Sequence, residues 1–371
     1  MMLGVISERH KQGKEIKRNI GKQPLLAHVE TLSATLRNRA FLTRSGYQVI
    51  NMADYKFNFS FEDSDEERDV SPPGSRLEVS SESSIVRGAK EILIESNVSA
   101  YLSSEVEEIH ISGGNFVIKH VSDSNVEENL KDKQDVSGHD ILTAAEKSTD
   151  LIPLVYEGGL KIWECSIDLV EYLLESRMNF HENLVMELGC GAGLPGIYAL
   201  LQGAEVHFQD YNDDVIEYVT IPNVLANLAQ QQKQCLSETA SFDLLKTARK
   251  CCRFFSGDWG SVVDFINPGQ VSEMMYDVIL TSETIYAVES HVKLYNVIKR
   301  HLKEPNGIAY VAAKTHYFGV GGGTRSFEKL VKMDGVFDIS VCKVYTDGVQ
   351  REILCMKYTQ TWKTQQQDTK N

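Results

Sequence analysis

Leu184-Val185-Met186-Glu187-Leu188-Gly189-Cys190-Gly191-Ala192-Gly193 decides how this chain is read. An apolar run closes on a carboxylate, and three alternating glycines then turn the chain into the helical stretch Leu194 to Leu201. Only a residue without Cβ lets the backbone bend this sharply and pass close to a ligand. A second strand-like run, Glu205-Val206-His207-Phe208-Gln209, ends on Asp210. A carboxylate about 20 residues past such glycines is placed to hydrogen-bond a ribose diol. The pattern predicts a nucleoside-bearing cofactor at this first strand-to-helix turn.

Outward from the turn, strands and helices alternate. Upstream, Ile162 to Leu174 sets Trp163, Ile167, Val170 and Leu174 at helical spacing. Downstream come a helix over Asp213 to Ala229, strands at Cys252 to Ser256 and Tyr276 to Thr281, a helix over Ser290 to Leu302 and a strand at Ile308 to Ala313. Such alternation means βαβ units on a mainly parallel sheet. The end differs: Phe337 to Val344 and Arg351 to Lys357 flank Tyr345-Thr346-Asp347-Gly348, a hairpin signal. The expected fold class is α/β, a parallel sheet closed by a C-terminal antiparallel hairpin, which is not the usual dinucleotide domain.

Gly191-Ala192-Gly193-Leu194-Pro195-Gly196 satisfies the dinucleotide fingerprint, a weak signal alone. Two features point instead to S-adenosylmethionine. Glu187 stands two residues before the first glycine, where it can meet a cationic or hydroxyl end. Ser256-Gly257-Asp258-Trp259 follows a third strand with a polar group and an aromatic face suited to adenine.

The chain has 371 residues and 42% apolar content, enough for one α/β domain with extra material. Its net charge of −14 argues against nonspecific nucleic-acid binding. The charge is uneven: Met1 to Asn51 carries nine Lys/Arg and three Asp/Glu. Seven scattered cysteines without a C-x-x-C suggest neither zinc nor disulfides, and no apolar run reaches membrane-spanning length. Three regions are expected. Residues 1–51 form a basic irregular extension, in which the Arg-bearing stretch Leu36 to Ser45 reads as an extension rather than a targeting arm. Residues 52–150 form an acidic, mostly disordered region, with Glu62 to Ser84 rich in Asp, Glu, Ser and Pro. Within it Ala89 to Val121 is a small accessory element, and Val121 to Gly138 a linker. Residues 151–371 form the cofactor-binding domain, with polar Gln230 to Lys250 as a surface insertion.

The Glu187 motif, Asp210 and the terminal hairpin together resemble a class I, seven-stranded S-adenosylmethionine-dependent methyltransferase. Four stretches narrow the likeness: Tyr156 to Cys165, Gln209 to Asn212, Leu280 to Tyr286 and Tyr317 to Gly323. They resemble the protein-histidine methyltransferases that modify a large-subunit ribosomal protein, over roughly Leu151 to Lys357. Phe57-Asn58-Phe59-Ser60-Phe61 resembles that family's N-terminal start, making Met52 a candidate initiator. The resemblance implies that Ile162, Trp163, Glu164 and Cys165 line the methionine end of the cofactor. It also implies a basic ribosomal substrate, work in the cytoplasm and in the nucleus or nucleolus, and a link to ribosome biogenesis and translation. Of the family's basic localisation patch only Lys246, Arg249, Lys250 and Arg253 stand near the insertion.

Residue roles follow. Gly189 and Gly191 let the backbone approach the cofactor; Asp210 takes the ribose hydroxyls; Tyr211 and Asn212 assist there. Gly257, Asp258 and Trp259 face adenine, although Trp259 reads equally well as a core residue and Trp163, by pattern alone, reads more often as core. Ser282 and Glu283 follow the fourth strand, where this fold presents groups to the methyl acceptor. Ser282-Glu283-Thr284-Ile285 departs from the Asn/Asp-Pro-Pro-aromatic motif of nucleic-acid amino-methylating enzymes. Glu283 is expected to orient an acceptor imidazole. Gly319 to Gly323 lacks the Lys-Ser/Thr of a P-loop and reads as a flexible loop or a flap over the substrate entry. His316 beside it is placed to touch substrate, but a lone histidine reads more often as structural. The alternatives are a protein lysine methyltransferase, a nicotinamide oxidoreductase and a non-catalytic cofactor-binding scaffold. The expected partner is a basic protein, with no nucleic acid, no membrane and no metal, and the expected state is a monomer.

Overall fold

Leu184–Leu188 lies in the middle of an eight-stranded sheet, and the rest of the fold is arranged around it. The structure is a computed structural model, and it describes residues 87–102, 104–111, 116–131, 139–235, 243–269 and 274–362, with the strand backbones at 39–43 and 46–50. In chain order the first elements are β1 (Arg39–Thr43), β2 (Gly46–Ile50), β3 (Lys90–Ile92), α1 (Val98–Leu102), β4 (Val106–Ile111), β5 (Phe116–Val121), α2 (Asp123–Lys131) and α3 (Asp140–Glu146). Next come α4 (Glu164–Ser176), β6 (Leu184–Leu188), α5 (Leu194–Leu201), β7 (Glu205–Asp210), α6 (Asp213–Val215), a π-helical turn over Ile216–Thr220, and α7 (Ile221–Cys235). The remainder is α8 (Leu244–Cys251), β8 (Cys252–Ser256), α9 (Trp259–Phe265), β9 (Val278–Ser282), α10 (Val288–His301), β10 (Ile308–Lys314), α11 (Thr324–Asp334), β11 (Phe337–Tyr345) and β12 (Arg351–Tyr358).

The large sheet runs β11-β12-β10-β9-β6-β7-β8-β3. β6 pairs in parallel with both β7 and β9, so the chain winds outward on one side, returns and winds outward on the other. Open α/β sheets bind ligands at such a reversal of strand order. β12 is antiparallel to β10 and β11, which is the expected hairpin. Alternation along β6 divides the core: Val185 faces one layer, with Ile167, Ile197, Phe208 and Val224, while Met186 and Leu188 face the other, with Val262, Leu294, Ile298 and Phe327.

Three readings need correction. The basic extension, expected to be irregular, contains the antiparallel pair β1–β2, and β1 also pairs with β4. The expected linker after Val121 contains α2, whose Val126 and Leu130 are buried. Two apolar residues four apart on an otherwise polar helix make too narrow a stripe to stand out in sequence. The expected polar insertion is largely helical: α7 continues to Cys235 and α8 begins at Leu244, capped by Asp243 accepting from the Lys246 N–H at 3.0 Å. The acidic stretch Glu62 to Ser84 and Phe57 to Phe61 lie outside the described residues.

The segment before Leu151 is built onto the sheet. β3 extends it antiparallel to β8. β5 is tied to α7 by the Asn223 and Asn227 side-chain oxygens, which accept from Val121 N–H at 2.7 Å and Lys119 N–H at 2.9 Å. Among the described residues no helix is long and apolar enough to cross a membrane.

Candidate active site

The glycine turn after β6 forms the floor of the site. Gly189, Gly191 and Gly193 have φ of 61°, 49° and 76°, which L side chains rarely adopt. A Cβ on Gly189 would lie 2.5 Å from the Thr284 methyl, and one on Gly191 would lie 3.0 Å from the Gly159 carbonyl oxygen. Asp210 closes β7 beside them. Its Oδ2 accepts from Gly191 N–H at 2.8 Å and its Oδ1 from Asn212 N–H at 3.2 Å. Burial pushes its carboxyl up to about 6.

Above this floor lies a cavity of about 450 Å³. Its wall holds Asp210, Tyr211, Gly257, Asp258 and Trp259. It also holds Ile162, Trp163, Ser282 and Glu283, with Gly189 and Gly191. Trp259 donates its indole N–H to the Gln209 side chain at 2.8 Å, and Trp163 donates to the Gly158 carbonyl at 2.9 Å, so both rings are fixed as walls. Asp258 caps α9 by accepting from Gly260 N–H at 2.7 Å and pairs with Lys293 at 2.8 Å.

Four expected contributors stand elsewhere. Glu187 turns away from the cavity into the core; its Oε2 accepts from Gly196 N–H at 2.8 Å and burial raises its carboxyl well above the usual range. It braces the start of α5 rather than meeting a cofactor. Asn212 is fully buried, donating to Asp140 at 2.8 Å and the Val155 carbonyl at 2.7 Å while accepting from Glu157 N–H at 3.0 Å. It organises the loop behind the wall. Cys165 is buried beside Glu283, and Glu164 lies 3.9 Å from Lys314 and 3.8 Å from Arg351; neither lines the cavity.

A second cavity of about 250 Å³ adjoins the first. Glu157, Trp163, Glu283 and Tyr286 belong to both walls. Glu283 has φ of 56°, a left-handed conformation that a non-glycine residue keeps only when its surroundings enforce it. Its N–H donates to the Ala312 carbonyl at 2.9 Å. Its Oε2 accepts from the Tyr317 hydroxyl, while its buried Oε1 lies 3.6 Å from Lys314 Nζ and has no hydrogen-bond partner among the described residues. Tyr286 donates its hydroxyl to Glu157, whose carboxyl burial raises. His316 and Phe318 complete the outer wall.

The glycine loop is not a free flap. Gly322 N–H donates to the Tyr286 carbonyl and Gly323 N–H to the Ile285 carbonyl, each at 2.9 Å, so the loop is pinned to the segment after β9 with Val320 in both cavity walls. Sequence reading missed Glu157, Tyr286, Lys314 and Tyr317. The available signal was the three-residue spacing of Glu283 and Tyr286 after a strand end; Glu157 and Tyr317 come close only through the fold.

A family model described as lysine methyltransferase matches residues 154–320. The histidine protein methyltransferase 1 homologue of Bos taurus is 38% identical over 296 residues, covering 76% of each chain. This chain belongs to the histidine protein methyltransferase family. The Dictyostelium discoideum homologue is 45% identical over 208 residues, 56% of this chain and 60% of its own. The Mus musculus EEF1A lysine methyltransferase 3 is only 28% identical over 154 residues, 42% of this chain and 55% of its own. Both identity and reach therefore favour the histidine enzymes over the lysine enzymes. The solved magnesium protoporphyrin IX methyltransferase of Synechocystis with S-adenosylmethionine bound is 13% identical, with a TM-score of 0.33 over 64% of this chain and 91% of that one, a likeness too loose to bear on function.

As a member of the histidine protein methyltransferase family, the chain is an S-adenosylmethionine-dependent protein methyltransferase. The residues present fit the cofactor: a glycine floor that a Cβ would obstruct, a buried carboxylate and aromatic walls. When bound, it supplies a sulfonium-activated methyl, so little acid–base chemistry is asked of the protein. The chain's own part is to bind, to orient the acceptor and to exclude water.

Proposed function

We propose that the acceptor is a histidine imidazole in a basic protein of the large ribosomal subunit, received at the smaller cavity. The observation that carries this reading is Glu283, whose carboxylate stands in the wall common to both cavities, accepting from Tyr317 and facing Lys314. A neutral imidazole has one N–H and one lone pair. With its N–H donated to the Glu283 carboxylate, the lone-pair nitrogen is free to face the larger cavity. Histidine has an unperturbed pKa near ~6.5, so much of it is neutral near pH ~7, whereas lysine at ~10.4 must first lose a proton. After transfer the imidazolium is left with one proton to lose, and Glu283 lies on that side to take it. Proximity of this kind can supply ~7–11 kcal/mol of the barrier.

The proposal extends to activity in cytoplasm and nucleus, a monomeric enzyme and a role in ribosome biogenesis and translation; what supports it is the sequence resemblance, together with a charge of −14 that suits a basic protein partner. The test is transfer of labelled methyl to ribosomal proteins from unmethylated cells, followed by mass spectrometry of the product. Methylhistidine in a large-subunit protein is expected. Methyl on lysine, or no label in the ribosomal fraction, would overturn the reading.

A further inference from the structure

One residue outside the segment that matches the family model holds three loops of the cofactor cavity at once. Arg87 precedes β3. Its guanidinium donates to Asp140 at 2.6 Å, to Asp213 at 3.4 Å and to the Val155 carbonyl at 3.4 Å, and lies 4.8 Å from the centre of the Tyr211 ring. Its backbone carbonyl accepts from Asp258 N–H at 3.0 Å and from the Ser261 hydroxyl at 3.1 Å. Asp140 also receives the Asn212 amide, so the loop after β7 is held from both sides. Behind Arg87, Gly88 and Ala89 lie against Gly257, where an added Cβ would come within 2.8 Å of both. Lys90 pairs with Asp213, and β3 then joins β8. Tyr211, Gly257 and Asp258 all line the larger cavity, as Asp210 does.

We propose that Arg87 is a positioning residue for the cofactor, and that the strap from Arg87 to Ile92 holds in place the loops whose Tyr211 and Asp258 line the cavity. Arg87 reaches the cavity through Tyr211, Asp258 and the loop bearing Leu154. Coupling of this kind is reciprocal: if strap contacts tighten cofactor binding, bound cofactor must tighten the strap by the same factor. The proposal does not depend on which residue accepts the methyl.

The test uses the full chain and S-adenosylhomocysteine as probe. Arg87→Ala should weaken its binding by about fivefold, a modest loss because the guanidinium is partly exposed. KM for S-adenosylmethionine should rise while kcat at saturation stays unchanged. Arg87→Lys keeps a charge without the forked contacts and should fall between. Arg253→Ala removes the 2.8 Å pair with Glu91 in the middle of β3 and leaves every Arg87 contact in place, so it should weaken binding much less. In wild type, hydrogen exchange at Lys90 to Ile92 should slow when the probe is added. Unchanged affinity in Arg87→Ala, equal loss in Arg253→Ala, or exchange indifferent to the probe would each overturn the proposal.

Discussion

Asp210 combines two demands that pull its proton in opposite directions. Burial raises its folded pKa to about 6, above an unfolded value near ~3.9. Its contribution to stability is therefore fully present below pH ~4 and is lost as pH rises through about 6. Cofactor binding runs the other way, because the ionised carboxylate is the better acceptor for two hydroxyls. Calorimetry should show S-adenosylhomocysteine affinity falling as pH drops through about 6 in wild type, and a weaker, flatter profile in Asp210→Asn. An identical profile in the variant would remove Asp210 from cofactor binding. Glu283 gives a second residue-scale prediction. Glu283→Gln keeps the shape but loses the charge facing Lys314 and the proton acceptor. Single-turnover transfer at matched cofactor occupancy should slow by up to about 10²-fold, the cost of a misoriented acceptor, with cofactor affinity little changed. Equal rates would exclude it from the mechanism.

Among the elements, the loop from Tyr317 to Gly323 is held by contacts only glycine permits. A Cβ on Gly322 would lie 2.2 Å from the carbonyl oxygens of Ile285 and Tyr286. Gly322→Ala must displace the loop, and with it Val320 and Tyr317, which donates to Glu283. The expected result is lower kcat and higher KM for the protein substrate, with S-adenosylhomocysteine affinity near wild type. Gly321→Ala is the contrasting case, since an added Cβ there meets nothing within 4 Å although its φ of 86° adds strain. If the two variants lose the same activity, strain rather than loop position explains the effect.

For the whole molecule the relevant quantity is charge. A net charge of −14 attracts a basic partner over distances that salt shortens, the Debye length being ~10 Å at 0.1 M. kcat/KM on an intact basic ribosomal protein should fall several-fold between about 50 and about 300 mM salt, because steering acts on encounter. The same histidine in a short neutral peptide should show little dependence. Matching salt slopes for the two substrates would show that global charge does not guide recognition.

The alternation of strands and helices, the glycine turn and the closing hairpin were legible because each is a local pattern: short continuous apolar runs between helical stretches, residues that alone tolerate positive φ, and an Asp-Gly turn. From them the α/β fold, the nucleoside-type cofactor and, by likeness, the methyltransferase family could be read. The place of Asp210 beside the glycine turn was legible because it depends on distance along the chain from Gly191. The second cavity was not, because Glu157, Glu283 and Tyr317 come from loops more than 30 residues apart and meet only when β9 and β10 align. Glu187 and Asn212 were misplaced for the same reason. Their position beside the glycines is set by sequence, but the direction each side chain takes is set by what else is buried there: Gly196 N–H for one, Asp140 and Val155 for the other. The strap from Arg87 lies 123 residues from the loop it fastens to through Lys90 and Asp213, a distance at which sequence carries no pattern and only the packed sheet edge brings the charges together.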